Sequence, residues 1–157
     1  MLAVSAVLFA GEEERIVFHD FPWGTSMETF ISRTGRPVHS EEANGITTLI
    51  YDGVIISGYT TYMLAYFSRN GLEGGTYYFL TYSLDELMRC YLDVQKLLLD
   101  TYGPTRLCDG IIKELRPYET SWELEKGYVY LKVNTRQHEP VMLWFSSPRF
   151  TRELRGS

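Results

Sequence analysis

Two stretches of this chain open and close with the same helix signals, and this repetition constrains the fold more than any other feature. Residues 25–28 and 83–86 both read Ser/Thr-x-x-Glu, the capping-box pattern in which two side chains satisfy the first free amides of a helix. A Gly with a Pro close behind it follows each stretch and ends the helix. The pattern predicts a short helix over 27–34 and a longer one over 84–102.

Each predicted helix is followed by a β-rich region. Turn signals, Asn70-Gly71 and Lys126-Gly127 among them, divide each region into three strands. The strands are predicted at 46–51, 54–68 and 72–82 after the first helix, and at 120–125, 128–135 and 141–147 after the second, with a further strand over 15–21. We therefore predict an α+β fold of two tandem α-β-β-β units, with antiparallel sheets and helices packed on one face.

The two predicted units span residues 11–82 and 83–150 and together form one compact domain of the 157-residue chain. They share capping boxes, Gly/Pro stops and strand spacing, but few residues coincide. A true duplication and a chance similarity of layout therefore both remain open. The predicted core consists of Trp23, Phe30, Phe67, Phe79, Leu87, Tyr91, Leu98, Trp122, Leu131 and Phe145.

The strands of the first unit carry apolar or aromatic side chains on both faces. Because side chains alternate along a strand, Tyr62 and Tyr66 share one face and Met63 lies on the other. An antiparallel sheet usually exposes one polar face, so a second aromatic face predicts a contact surface at Tyr62 and Tyr66. Tyr78 joins that face only if a bulge shifts the hairpin register by one residue. Two alternatives remain open: the same chain covers this face, or the Tyr hydroxyls shield it in water.

The charge of the chain excludes one class of partner. With 15 Lys and Arg against 20 Asp and Glu, the net charge is −5, and the basic residues form no block. A nucleic-acid binder needs a basic footprint to neutralise phosphates, so no nucleic-acid partner is expected. No segment is long and apolar enough to span a bilayer as a helix, so no integral membrane segment is expected either. The expected partner is another protein or a second copy of the chain.

The first ten residues form an apolar run that ends abruptly at an acidic segment. MLAVSAVLFA is followed by GEEER, which is typical of the end of a secretory signal peptide cleaved after Ala10, although the usual basic start is missing. We therefore interpret residues 1–10 as a signal-peptide remnant and expect an extracytoplasmic location, periplasmic or secreted, in a bacterium. The alternative is that these residues form an apolar first strand.

Neither a catalytic motif nor a metal-ligand pattern stands out, so we predict no catalytic residue, no metal, no cofactor and no enzyme activity. His19 and Asp20 are adjacent on the predicted first strand and should point to opposite faces, while His39 and His138 lie in predicted loops. Cys90 and Cys108 are the two cysteines. They are candidates for a disulfide in an oxidising compartment and for buried thiols otherwise.

The segment Phe21-Pro22-Trp23-Gly24-Thr25-Ser26 resembles the start of a set of uncharacterised bacterial exported proteins. These proteins carry a WG-x-S opening, a short helix ending in Gly-x-Pro, and a Tyr/Phe-rich hairpin around Asn-Gly, matched here by residues 66–79. The resemblance covers most of residues 18–147 and implies no activity. A capped helix followed by a three-stranded hairpin sheet more distantly resembles the BamE-type outer-membrane assembly lipoproteins and the duplicated β-lactamase inhibitory proteins. Both bind proteins, but their units open with two helices, so no site residue is carried over.

Two classes of function follow from the sequence. The first is a non-catalytic binding or assembly module of the bacterial periplasm or cell envelope, acting through protein–protein contacts at the Tyr-rich face. The alternative is a small-ligand-binding protein or an unorthodox enzyme with a cleft between the two units.

Overall fold

The computed structural model describes residues 18–104, 107–108, 118–134 and 139–155. Three helices lie in this part of the chain: α1 (Met27–Thr34), α2 (Leu84–Tyr102) and α3 (Pro148–Arg155). The first two have the bounds that the capping pattern predicts, and α3 was not predicted.

In the described part of the chain, eight strands make one antiparallel sheet in the order β1-β2-β3-β4-β8-β7-β6-β5. The chain thus builds the sheet from both edges inward and joins the two halves where β4 pairs with β8. The strands are β1 (His39–Ala43), β2 (Ile46–Ile56), β3 (Tyr59–Ser68), β4 (Gly71–Phe79), β5 (Leu107–Cys108), β6 (Tyr118–Leu124), β7 (Gly127–Val133) and β8 (Val141–Ser146).

Side-chain caps mark the start of both predicted helices, α1 and α2. Ser83 caps α2 by accepting a hydrogen bond from the Glu86 amide, as the capping box predicts. At α1 the cap is Ser26, which accepts from the Thr29 amide, and the predicted cap Thr25 instead donates to the Pro22 carbonyl at 2.7 Å. The predicted Thr25–Glu28 capping box is therefore wrong, and α1 begins with a simple serine cap at Ser26.

The segment before α1 is bound to the turn between β3 and β4. The Gly24 amide donates to the Leu72 carbonyl at 2.9 Å, and the Leu72 amide donates to the Thr25 carbonyl at 2.8 Å. A side chain on Gly71 would collide with the Gly24 backbone, and Gly71 has a φ of 92°, so this close approach requires glycine. Trp23 reaches further, since its indole Nε1 donates to the Lys126 carbonyl at 2.9 Å. The Trp-Gly motif thus has a structural role.

The core lies against one face of the sheet, which we call the inner face. α1, α2 and the tight turn 18–21 pack on it, while α3 packs on the opposite, outer face. Of the ten predicted core residues, nine are buried and Trp23 is half-buried against the cluster. Inner-face residues include Leu49, Met63, Phe67, Tyr77, Phe79, Trp122, Leu131, Leu143 and Phe145.

The prediction of two tandem α-β-β-β units with their own sheets and helices on one face was wrong. The strands form one continuous sheet, the first half has four strands, and α3 lies on the outer face. Pairing β4 with β8 satisfies backbone groups that two separate sheets would leave at exposed edges. The predicted strand 54–68 is interrupted by a turn at Ser57-Gly58, where Ser57 has a φ of 51°.

The interpretation of His19 and Asp20 as strand residues was also wrong. Phe18 and Phe21 exchange two backbone hydrogen bonds, of 3.1 and 3.0 Å, and His19 and Asp20 are the two central residues of the resulting turn. His39 lies in β1 and is exposed, whereas His138 lies outside the described residues.

Residues 1–17 lie outside the described part of the chain, so the predicted signal-peptide remnant stays a prediction. Cys90 is buried on α2, and the backbone of Cys108 pairs with Thr120 in the sheet. The Cys108 side chain is outside the description as well, so its pairing with Cys90 also stays a prediction.

Candidate functional site

The structure brings Tyr62, Tyr66 and Tyr78 together on the outer face. Tyr62 lies directly opposite Tyr78 in the β3–β4 register. The turn itself has two residues, but Glu73 is an extra residue on β4, because Tyr66 pairs with Gly74 and Phe67 with Leu72. This bulge shifts the register and brings Tyr78 to the side of Tyr62.

The aromatic face continues across the junction into the second half of the sheet. Tyr78 lies opposite Met142 on β8, and Trp144 of β8 lies opposite Tyr130 of β7. Tyr128 packs on Trp144, with ring centroids 5.7 Å apart, and stacks on Tyr130 at 6.3 Å. Sequence reasoning missed these members because it assigned the two halves to separate sheets. The alternation in β7, with Val129 and Leu131 facing inward, was the signal that could have found them. We call Tyr62, Tyr66, Tyr78, Tyr128, Tyr130, Met142 and Trp144 the aromatic face.

The members of the aromatic face differ in accessibility. Tyr62 is 44% exposed, whereas the others are half-buried by one another and by α3. Phe150 of α3 lies 6.1 Å from the Tyr66 ring, and the Tyr66 hydroxyl is hydrogen-bonded to Thr76 Oγ1 at 2.9 Å. Burial raises the pKa of the Tyr66 hydroxyl above its ordinary value. Tyr62 is therefore the accessible part of the face and Tyr66 its covered end.

The bulge residue Glu73 holds α3 in this position. Its carboxylate accepts hydrogen bonds from the Ser68 hydroxyl at 3.1 Å and from the Ser147 hydroxyl at 2.5 Å. The Ser147 hydroxyl in turn accepts from the Phe150 amide at the start of α3. One buried carboxylate thus connects the bulge that sets the register to the helix that covers one end of the aromatic face.

Charged side chains of both signs border the aromatic face. Residues that pair across neighbouring strands lie on the same face of the sheet. Glu41 of β1 pairs with Thr48 and so lies on the outer face. Glu119 and Glu123 of β6 lie there too, because they pair with Lys132 and Tyr128. Burial and a hydrogen bond to Glu119 raise the pKa of the Tyr130 hydroxyl. The strands of the outer face therefore combine aromatic rings with three carboxylates and one ammonium group, and α3, which packs on this face, adds Arg149, Arg152 and Glu153.

A second site lies on the inner side of the first half of the sheet. A cavity of about 390 Å³ lies between the 18–21 turn, the end of α1 and β2. Its charged and polar lining is His19, Asp20, Arg33, Arg36 and Asp52, together with Thr34. Apolar surface comes from Phe21, Val38, Tyr51 and Val54. The sequence placed these residues on separate elements, so no local signal indicated the cavity.

His19 is held in place at this cavity. Its Nδ1 is hydrogen-bonded to the Tyr77 hydroxyl at 3.1 Å, and its ring lies 6.4 Å from that of Phe30. Burial lowers the pKa of the imidazole, partly opposed by the adjacent Asp20 carboxylate. His19 is therefore neutral at physiological pH.

The described residues contain neither a cluster of metal ligands nor a membrane-spanning helix. No group of three or more His, Cys, Asp or Glu side chains comes together there in a way that suits a metal ion. No helix in the described part of the chain is long and apolar enough to cross a membrane.

The comparisons with known proteins give no family. No protein-family description matches the chain, and no curated protein matches it. A solved structure of an extracellular protein containing a SCP domain from Bacillus anthracis str. Ames is 12% identical with a TM-score of 0.44. The match covers 89% of this chain and 50% of that one, so the chain spans about half the length of that protein. A likeness this low carries no argument about function.

Proposed function

We propose that the protein is a non-catalytic binding module that recognises another protein through the aromatic face. The observation that carries this proposal is the continuity of the face across β3, β4, β8 and β7, four neighbouring strands about 4.8 Å apart. Tyr and Trp are the residues that contribute most to protein–protein contacts, because they bury large areas at low entropic cost.

The charges around the face indicate the chemistry of the partner. The strands that border it carry three carboxylates against one lysine, α3 adds Arg149 and Arg152 against Glu153, and the whole chain carries a net charge of −5. A second copy would bring the same negative charge to the interface, which disfavours self-association. A partner that presents arginine or lysine together with apolar side chains fits better, because guanidinium groups also stack on Tyr and Trp rings.

We further propose that this binding takes place outside the bacterial cytoplasm, in the periplasm or cell envelope. Support comes from the switch from an apolar to an acidic segment at Ala10 and Gly11. N-terminal sequencing of the protein from its native host tests this part, since an intact Met1 would contradict export by cleavage.

The test of the binding proposal compares two exposed tyrosines. Tyr62→Ala removes the accessible ring of the aromatic face, and Tyr62→Ala combined with Tyr78→Ala removes the facing pair. Tyr82→Ala is the matched control, because Tyr82 is 90% exposed and precedes α2 outside the sheet. Each variant is immobilised and exposed to an envelope extract, and the captured proteins are quantified at low and high salt.

A protein captured by the wild type and by Tyr82→Ala, but lost with the Tyr62 variants and at high salt, supports the proposal. Truncating a hot-spot tyrosine costs about 2 kcal/mol or more of binding free energy. Capture that is equal for all variants contradicts it. The remaining possibility is self-association, which light scattering of the wild type and of Tyr62→Ala tests. A wild-type dimer that Tyr62→Ala abolishes would show that the partner is a second copy of the chain.

A further inference from the structure

The cavity beside α1 is independent of the aromatic face, because it opens on the other side of the sheet. We propose that it binds a small zwitterion of the α-amino-acid type, a free amino acid or dipeptide with an apolar side chain.

The charges that line the cavity are balanced and unpaired. Arg33 and Arg36 contribute two positive charges, and Asp20 and Asp52 contribute two negative ones. Among the residues that the structure describes, the one ion pair within 4.0 Å joins Arg149 to Glu153, so none of these four charges neutralises another. With a neutral imidazole the lining sums to zero, which favours a ligand carrying one charge of each sign over a simple anion or cation.

The arginine beside the apolar wall is already positioned. The Arg33 guanidinium lies 4.7 Å above the centre of the Phe21 ring. This stacking leaves the N–H groups at the guanidinium edge available to a carboxylate, which a planar fork binds with two hydrogen bonds. Part of the entropic cost of ordering this side chain is therefore met before the ligand arrives.

The shape of the cavity fits a small ligand with an apolar portion. A volume of about 390 Å³ lies at the lower end of the range of ligand pockets. Phe21, Val38 and Val54 supply an apolar wall beside the charged groups. A ligand that places its two charged groups among the arginines and aspartates can rest its side chain on this wall.

One buried polar group at the cavity has no partner in the described residues. The Thr34 hydroxyl is buried and has no hydrogen-bond partner among the described residues. The positive φ values of His19 and Asp20, 53° and 65°, belong to the 18–21 turn and are offset by its two backbone hydrogen bonds. A polar group of a ligand in the cavity would supply the contact that the Thr34 hydroxyl lacks.

The experiment uses three probes that differ only in their charged groups. L-leucine carries both groups, 4-methylpentanoate lacks the amine, and 3-methylbutylamine lacks the carboxylate. The dipeptide Ala-Leu tests a longer zwitterion. Binding is measured by calorimetry and by backbone amide shifts on the wild type, on Arg33→Gln and on Asp52→Asn. Arg152→Gln on α3 and Asp85→Asn on α2 are matched controls away from the cavity.

We expect L-leucine or Ala-Leu to bind and to shift amides of 19–21 and 33–38. Both single-charge analogues should bind at least tenfold more weakly, and both cavity variants should lose affinity by a similar factor while the controls keep it. The proposal is overturned if neither L-leucine nor Ala-Leu binds. It is also overturned if a single-charge analogue binds as tightly as L-leucine, or if the control variants lose as much affinity as the cavity variants. Tyr62→Ala should leave this binding unchanged, so the two proposed sites succeed or fail separately.

Discussion

The two halves of the sheet are covered on their inner face by helices of different length, and this difference decides where a cavity is left. The first half, β1–β4, has the eight-residue α1, about 12 Å long, and the second half, β5–β8, has the nineteen-residue α2, about 28 Å long. The strands they cover are long in the first half and shorter in the second. The short helix lies on the longer strands, so the 18–21 turn completes the cover and the cavity lies at the end of α1.

The two halves also differ in the kind of side chain that is buried between the sheet and its helix. In the first half aromatic rings surround Phe30, with Phe21 at 4.5 Å and Phe67 at 5.3 Å. In the second half the buried residues of α2 are mostly aliphatic, and a polar link joins the helix to β6: Gln95 Nε2 donates to Thr120 Oγ1 at 2.8 Å. A short helix can cover its half of the sheet only with large side chains, whereas a long helix can cover its half with a larger number of smaller ones.

The largest expected loss of stability comes from truncating the buried residue of the short helix α1. Phe30→Ala removes the one buried residue of α1 and should cost about 3–5 kcal/mol of unfolding free energy. Leu98→Ala removes one of five buried residues of α2 and should cost about 2–5 kcal/mol, near the lower end because neighbours on the stripe remain. Urea unfolding measures both. Met27→Ala at the exposed start of α1 is the control, and a smaller loss for Phe30→Ala than for Leu98→Ala would refute the comparison.

The junction between the halves is tested at Gly75. This residue pairs with Phe145 across β4 and β8, and a side chain on it would collide with the buried Phe18 ring. Gly75→Ala should therefore cost about 1–3 kcal/mol by overpacking. Gly75→Ala in a Phe18→Leu background is the control, because a smaller side chain at position 18 removes the collision. An equal loss from Gly75→Ala in that background, measured by urea unfolding, would show that the collision with Phe18 is not its cause.

Alkaline pH should lower the stability of the protein through buried groups on α2. Burial, with smaller contributions from Asp93 and Glu86, raises the pKa of the Cys90 thiol from 9.0 to about 12, and burial raises that of Tyr102 from 10.0 to about 12. The unfolded chain loses these protons at lower pH than the folded one, so stability of the reduced protein falls as pH rises from about 9 to about 12. Cys90→Ala should flatten this dependence in urea unfolding, and an unchanged slope would exclude the thiol as its cause.

The smallest effect is expected at the accessible end of the aromatic face. Tyr62→Ala should change the unfolding free energy by no more than about 0.5 kcal/mol, because the ring is 44% exposed. Tyr66→Ala should cost more, since it loses the packing on Phe150 and the hydrogen bond to Thr76. Thermal unfolding of the two variants compares them directly. A large loss from Tyr62→Ala would show that Tyr62 belongs to the core.

Much of the secondary structure could be predicted because its signals are local. The helices 27–34 and 84–102 have the bounds that the Ser/Thr caps and the Gly stops indicate. Alternation along β3 correctly placed Tyr62 and Tyr66 on one face, because side chains alternate whatever the strand pairs with. The position of Tyr78 could not be derived, since it depends on the extra residue Glu73, which no local pattern marks.

The sequence by itself thus determined α1, α2, most of the strands and the shared face of Tyr62 and Tyr66, because backbone capping and side-chain alternation act within a few residues. Only the tertiary structure decided that β4 pairs with β8, that α3 covers part of the outer face, and that His19 and Asp52 line one cavity. These arrangements join residues far apart in the chain, and their free energy comes from burial and edge pairing that a local pattern does not record. The aromatic face and the cavity, the two proposed sites, both depend on such pairings.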